Sequence, residues 1–137
     1  MREILFRGKN KDGKWFCGDL LRPNIIITNW DKFTADRRFR ADYGVVETKT
    51  IGQYTGYDDK NGKGIFQGDL VTDSLFHRFM IVVFRHGAFM FKAIKKTNFE
   101  YAPIWEWFGI DGKHPDAEII GNIFDNQELI MEADDHA

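Results

Sequence analysis

Arginine and aromatic residues alternate in one segment of this sequence, a combination that can contact nucleic acid. The segment carries Arg37, Arg38 and Arg40 together with Trp30 and Phe39. Guanidinium groups bind phosphate in a forked geometry, and aromatic rings stack on bases. Three aspartates within residues 29–43, namely Asp31, Asp36 and Asp42, dilute its positive charge. We therefore interpret the segment either as a nucleic-acid or partner contact, or as a face that is solvated or packed between subunits.

Residues that could perform catalysis or bind metal do not form a recognisable constellation. The single cysteine, Cys17, lies in a predicted strand with no base beside it in sequence. The histidines His77, His86, His114 and His136 have no pair at zinc-like spacing. We predict no catalytic residue, no metal site, no cofactor and no enzymatic activity.

A stretch at residues 59–62, Asp-Lys-Asn-Gly, partly matches a calcium-binding loop. In that register Tyr57 would be the first ligand and Gly68 would take the place of the bidentate acid, so the match fails. Asn-Gly between two apolar stretches is instead typical of a hairpin turn, which we predict here.

The elements that position these residues are short strands separated by turn signals, typical of a mainly β protein. We predict strands at residues 4–6, 15–21, 25–28, 45–50, 51–55, 69–75, 79–84, 88–94 and 118–124. Asp12-Gly13 and His86-Gly87 predict tight hairpin turns. Residues 79–84 are apolar throughout, which predicts burial of both faces.

Three segments are less regular. Residues 29–43 show no clean period and fit a short helix or a long loop. At residues 103–109, Pro103 and Gly109 favour a short helix, whereas the alternation of Trp105 and Trp107 favours a strand. Residues 127–130 predict one helical turn before a frayed acidic end.

Two stretches of the sequence resemble each other. Residues 13–21 and 62–71 both contain a turn, an aromatic residue, Gly-Asp and an apolar strand. This is either a faint duplication or the same local solution found twice, and one pair is too few for a repeat architecture.

Five blocks, in order, resemble the YopX family of phage and prophage proteins. The blocks are residues 2–9 (REILFRGK), 50–56 (TIGQYTG), 59–63 (DKNGK), 68–71 (GDLV) and 118–126 (EIIGNIFDN). Each block consists mostly of residues that form turns, but together the blocks span nearly the whole chain. The resemblance implies phage or prophage origin and a mainly β, β-rich α+β fold. It implies a β-rich N-terminal segment at 1–50, an SH3-like barrel at 51–128 and an acidic tail at 129–137. It implies no reaction.

Four aromatic residues near the end of the implied barrel form a second candidate partner surface. They are Tyr101, Trp105, Trp107 and Phe108. They fit either a peptide-binding groove or a plug that closes the end of the barrel. The plug is the more ordinary arrangement for rings in a small barrel, because rings gain most from burial.

Composition limits the partners and the compartment. The net charge of −2 gives no overall attraction to nucleic acid or anionic membranes. One cysteine, a charged N-terminus and no long apolar run indicate a reducing compartment, the bacterial host cytoplasm, without membrane insertion. Aromatic residues make up 15% of the chain, enough for some to lie on a partner. We predict a non-enzymatic interaction module that forms a homo-oligomer and contacts an unknown host or phage protein, with nucleic-acid binding through residues 37–40 as the alternative.

Overall fold

The protein is mainly β, as predicted. A computed structural model describes residues 3–30, 41–73, 78–94, 100–108 and 116–135. In these residues the strands are β1 (Phe6–Lys9), β2 (Trp15–Leu21), β3 (Ile25–Trp30), β4 (Ala41–Val45), β5 (Gly52–Asp58), β6 (Gly64–Phe66), β7 (Asp69–Asp73), β8 (Arg78–Arg85), β9 (Ala88–Ala93), β10 (Tyr101–Pro103) and β11 (Ala117–Asn122). One α-helix, α1 (Gln127–Asp135), and two 3-10 helices, Thr48–Thr50 and Ile104–Glu106, accompany them.

The chain divides into two compact units, Met1–Tyr54 and Thr55–Ala137. In the first unit the antiparallel strand order is β4-β3-β2-β1, and Gly52 and Gln53 at the start of β5 pair with β1. Ile26 and Val46 are almost fully buried there. At Gly44 the backbone of β4 lies close to the ring of Phe16 on β2. A side chain at this position would place its Cβ only 2.6 Å from that ring.

The predicted strand at residues 45–50 is wrong beyond Val45, where the chain forms the 3-10 helix Thr48–Thr50. The buried hydroxyl of Thr50 explains the change. It accepts a hydrogen bond from the Lys9 backbone N–H at 2.8 Å and donates one to the Glu47 carbonyl at 2.6 Å. A threonine that bonds its own preceding turn competes with the extended conformation.

The two predicted hairpin turns at residues 10–14 and 59–63 have the same hydrogen bonds. The side-chain oxygen of Asn10 accepts from the N–H groups of Asp12 and Lys14 at 3.0 and 2.8 Å. Asp59 accepts from the N–H groups of Asn61 and Lys63, both at 2.9 Å. Gly13 and Gly62 take positive φ values of 88° and 78° in the matching positions. Part of the internal resemblance is therefore one turn geometry used twice.

The later part of that resemblance has no common geometry. Gly68 has a φ of 95° and precedes β7, whereas Gly18 lies inside β2. Asp69 is buried and accepts a hydrogen bond from the Phe66 N–H at 2.7 Å. The shared Gly-Asp pair thus lies at the junction of a turn and a strand in one case and in a strand interior in the other.

In the second unit a five-stranded antiparallel sheet has the order β10-β9-β8-β7-β11. Side chains on its two faces enter two different clusters, because neighbouring residues in a strand point to opposite faces. One cluster holds Val71, Met80, Val82 and Phe91 with residues of β6 and the Ile104–Glu106 helix. The other cluster packs Leu70, Phe79 and Ile81 against Leu129 and Ile130 of α1.

The hairpin of β8 and β9 around His86 and Gly87 is confirmed. Burial of both faces is confirmed for the first part of β8, where Phe79 and Met80 point to opposite clusters. It is wrong at the end of that strand, because Phe84 is 52% exposed.

The helices in the C-terminal part of the chain differ in extent from the sequence prediction. Helix α1 extends to Asp135 instead of ending after one turn. At residues 103–108 the 3-10 helix Ile104–Glu106 supports the helical alternative, and the strand alternative is wrong because β10 ends at Pro103, before Trp105 and Trp107. Within the described ranges, no helix has the length and apolar character needed to cross a bilayer.

Candidate interaction surfaces

The first predicted contact segment lies almost wholly outside the described residues. Arg37, Arg38, Phe39 and Arg40 belong to residues 31–40, and only the backbone of Trp30, at the end of β3, is described. Nucleic-acid contact through this segment stays a prediction.

Two of the four aromatic residues of the second candidate surface pack into the protein. Phe108 is 8% exposed and stacks on Tyr57 with ring centroids 4.4 Å apart. Trp107 meets Phe91 edge to face at 5.4 Å. Offset and edge-to-face contacts are the geometries that aromatic pairs prefer. These two rings therefore contribute to the cluster on one face of the five-stranded sheet.

An ion pair that sequence reasoning missed lies beside Trp107. Asp73 is almost fully buried, and its carboxylate accepts a hydrogen bond from the Arg78 guanidinium at 2.6 Å. The central carbon of the Arg78 guanidinium lies 3.7 Å from the centroid of the Trp107 ring. Asp73 and Arg78 are opposite each other in the pairing of β7 with β8, but the predicted strands at 69–75 and 79–84 left Arg78 outside a strand and so concealed the pair. The contacts fix both charges in a structural role.

Tyr101 lies on the face of the five-stranded sheet opposite to the cluster that contains Phe91. It pairs with Lys92, the neighbour of the core residue Phe91. The Arg85 guanidinium carbon lies 4.3 Å from the Tyr101 ring centroid, and the Lys92 ammonium lies 5.9 Å from it. Tyr101 is thus the centre of a small cation–π cluster on the sheet surface.

Trp105 is the fourth residue of this set and is 62% exposed. The structure therefore does not bring the four aromatic residues onto one surface. Trp107 and Phe108 are packed inside, Tyr101 lies on the other sheet face, and Trp105 faces solvent.

A group of exposed apolar side chains lies on one face of the first unit. Leu21, Tyr43 and Val45 are 53%, 61% and 57% exposed. Leu21 pairs with Ile25, and Ile25 pairs with Val45, so one apolar row crosses three strands. Tyr43 lies two residues before Val45 and hence on the same face. We call Leu21, Ile25, Tyr43 and Val45 the apolar row. Sequence reasoning missed it because residues 29–43 were not predicted as strand, although the alternation Tyr43-Gly44-Val45 carried the signal.

Cys17 lies on the same face of β2 as Leu21 and opposite Arg7 of β1. Although much of the residue is exposed, partial burial of the thiol raises its pKa, and the Arg7 charge opposes that shift in part. A raised pKa keeps the thiol protonated at neutral pH, the reverse of what an activated nucleophile requires. In the ranges that the structure covers, histidine, cysteine and acidic side chains form no cluster of three or more that could hold a metal ion.

Comparison with known proteins identifies the family. A family model described as YopX protein matches residues 5–131, nearly the whole chain. The chain therefore belongs to the YopX family.

Among solved structures, the crystal structure of protein EF1440 from Enterococcus faecalis is similar. It aligns with a TM-score of 0.60 and 21% identity, over 95% of this chain and 99% of that chain. At this identity the likeness shows a common fold. A search of curated proteins finds no match.

Proposed function

We propose that this YopX family protein is a non-enzymatic interaction module that self-associates. The observation that carries the proposal is the apolar row, in which Leu21, Tyr43 and Val45 are each more than half exposed on neighbouring strands. Covering a Val or Leu side chain fully is worth about 1.5–3 kcal/mol, so covering the exposed halves contributes ~1 kcal/mol per residue. A second copy of the chain carries the same row and offers a partner surface of matching character.

The described buried carboxylates support a role without catalysis. Asp59, Asp69 and Asp73 are all less than 10% exposed. Asp59 and Asp69 accept backbone hydrogen bonds, and Asp73 accepts one from Arg78. Acid–base catalysis uses carboxyl groups that can reach a substrate proton, whereas these groups stabilise turns and strand pairs.

The family and the single cysteine support the setting of this function. We propose that the protein is of phage or prophage origin and acts in the bacterial host cytoplasm, where a lone cysteine remains reduced. A host or phage protein is the further partner we propose.

We also propose that the second unit closes as an SH3-like barrel. Five short antiparallel strands, a 3-10 helix before the last strand and a register shift between Ile119 and Gly121 of β11 support it. Bulges of this kind bend a strand and help a sheet to curl. Backbone NOEs by NMR between β6 and an edge strand of the five-stranded sheet would test closure, and their absence would contradict it.

The oligomer is tested by light scattering after gel filtration, from ~1 to ~100 µM protein, the range in which weak self-association becomes populated. We expect a mass above the 16.0 kDa of one chain that rises with concentration. Tyr43→Lys should reduce this mass, because it places a charge in the apolar row. Met131→Lys is the matched control, since Met131 is 67% exposed on α1 and outside the row. A strictly monomeric mass at every concentration would overturn the proposal.

A further inference from the structure

Among the described residues, strand β4 is the terminal strand of its sheet, and its backbone groups face outward at Tyr43 and Val45. The N–H of Val46 bonds to the Asn24 carbonyl at 2.8 Å, and the Asp42 carbonyl accepts a hydrogen bond from the Thr28 hydroxyl. The backbone N–H and carbonyl groups of Asp42, Gly44 and Val46 therefore face β3. Because this direction alternates along an antiparallel strand, those of Tyr43 and Val45 point away from the sheet. Among the described residues, none bonds to them.

The other strand edges in the described chain are protected. Strand β10 has three residues and ends in Pro103, which has no N–H. Strand β6 also has three residues, and its Phe66 N–H bonds to the Asp69 carboxylate.

The outer edge of β11 is covered by the turn after β5. The Lys60 N–H donates to the Ala117 carbonyl at 2.8 Å, and the Asp59 carboxylate accepts from the Ile119 N–H at 3.0 Å. Strand β4 has five residues, without proline or lysine. Natural proteins commonly use proline, lysine or short length to stop strands from pairing with other chains.

We infer that two copies of this protein associate by antiparallel pairing of their β4 edges across a two-fold axis. This inference rests on the proposed self-association and specifies its geometry. Pairing supplies the outward N–H and carbonyl groups with partners, and the apolar side chains beside them are covered in the same step. A two-fold contact uses the same surface on both copies, which a single repeated edge provides.

The favoured register places Gly44 of both copies at the axis. Tyr43 then lies opposite Val45 of the second copy, in a pair that exchanges both backbone hydrogen bonds. The two most exposed members of the apolar row cover each other, and Gly44 brings no side chain to the axis. The register centred on Asp42 would place two carboxylates opposite each other, which opposes pairing.

Amide hydrogen exchange measured by NMR tests this geometry directly. The amides of Tyr43 and Val45 should exchange ~10-fold or more slowly in the associated protein than in dilute monomer, since each gains a hydrogen bond. The Gly44 amide is an internal control, because it already faces β3 and should change little. If protection on association appears elsewhere and not at Tyr43 and Val45, the edge inference is overturned while self-association stands.

A pair of variants separates edge pairing from stacking of the sheet faces. Val45→Pro removes an outward N–H at an edge position that tolerates proline, and it should weaken association ~10-fold or more. Leu21→Lys leaves the β4 edge intact, so edge pairing predicts that it weakens association far less than Val45→Pro does. If the two copies instead stacked their sheet faces, Leu21→Lys would weaken association more than Val45→Pro. Val45→Thr keeps the N–H and is the matched control.

Each outcome decides between the two proposals. Undiminished association of a folded Val45→Pro variant would overturn the edge inference alone. A wild-type chain that stays monomeric would overturn both proposals. If Val45→Pro does not fold, as judged by circular dichroism, the wild-type exchange pattern decides.

Discussion

Asp59 shows how one side chain can connect a turn to a distant strand. One carboxylate oxygen accepts the two local N–H groups of its own turn. The other accepts the Ile119 N–H at 3.0 Å, sixty residues away in sequence. Asn10 makes the same two local bonds in the first unit, and within the described residues its side chain bonds only inside its own turn. The pair of turns therefore provides a built-in comparison of local and distant bonding.

We expect Asp59→Ala to lower the free energy of unfolding by ~2–4 kcal/mol, because a buried charged acceptor is lost and its donors are left without it. The matched variant Asn10→Ala should lower it by ~1 kcal/mol, since it removes only neutral local bonds. Urea unfolding of both variants measures the difference. An equal or larger loss for Asn10→Ala would contradict the role given to the bond with Ile119.

At the residue scale the sequence revealed the turns but not these partners. Glycine and Asx residues at fixed offsets predicted both hairpins, because they set local backbone angles. The contacts of Asp59 with Ile119 and of Asp73 with Arg78 depend on which strands become neighbours. No spacing within a single stretch reveals that Asp59 meets Ile119, and the pair of Asp73 with Arg78 was missed because the predicted strand bounds left Arg78 outside β8.

At the scale of secondary-structure elements, the length of α1 also could not be predicted from its own sequence. Its sequence was predicted as one turn and a frayed tail, since it has acidic residues and little apolar content. The structure extends the helix because Leu129 and Ile130 pack on Leu70 and Phe79 of the sheet. Packing of an apolar stripe, rather than intrinsic propensity, stabilises most short helices. The strands of the β8–β9 hairpin were predictable because their pattern and turn lie close together in sequence.

Replacing Leu129 with alanine should lower the free energy of unfolding by ~1–2 kcal/mol, less than for a fully buried leucine because the side chain is only half-buried. Met131→Ala, at an exposed position on the same helix, should change it by less than ~0.5 kcal/mol. Thermal or urea unfolding measures both changes. Similar effects of the two variants would indicate that α1 does not contribute to the cluster through Leu129.

At the scale of the whole molecule, charge favours protein partners over nucleic acid. The net charge is −2, and the arginines at positions 37, 38 and 40 share their segment with three aspartates. Long-range attraction to phosphate needs a surplus of positive charge. The self-association that we propose through the apolar row, by contrast, requires no surplus of charge.

We therefore expect no binding of a fluorescent duplex DNA at ~150 mM salt by anisotropy, where phosphate contacts are already screened. A binding constant whose logarithm falls with the logarithm of salt by ~0.9 per contacted phosphate would support the alternative function instead. In that case a variant with alanine at Arg37, Arg38 and Arg40 should lose the binding, and its persistence would place the contact elsewhere.

The repeated turn has a consequence for the order in which the chain gains structure. The side-chain bonds of Asn10 with Asp12 and Lys14 span at most four residues, so they form with a small loss of chain entropy. Contacts of such short separation form fastest in refolding. The hairpin of β1 and β2 is thus suited to form before strands distant in sequence meet, and a stopped-flow experiment on Asn10→Ala should show its cost in the refolding rate more than in the unfolding rate.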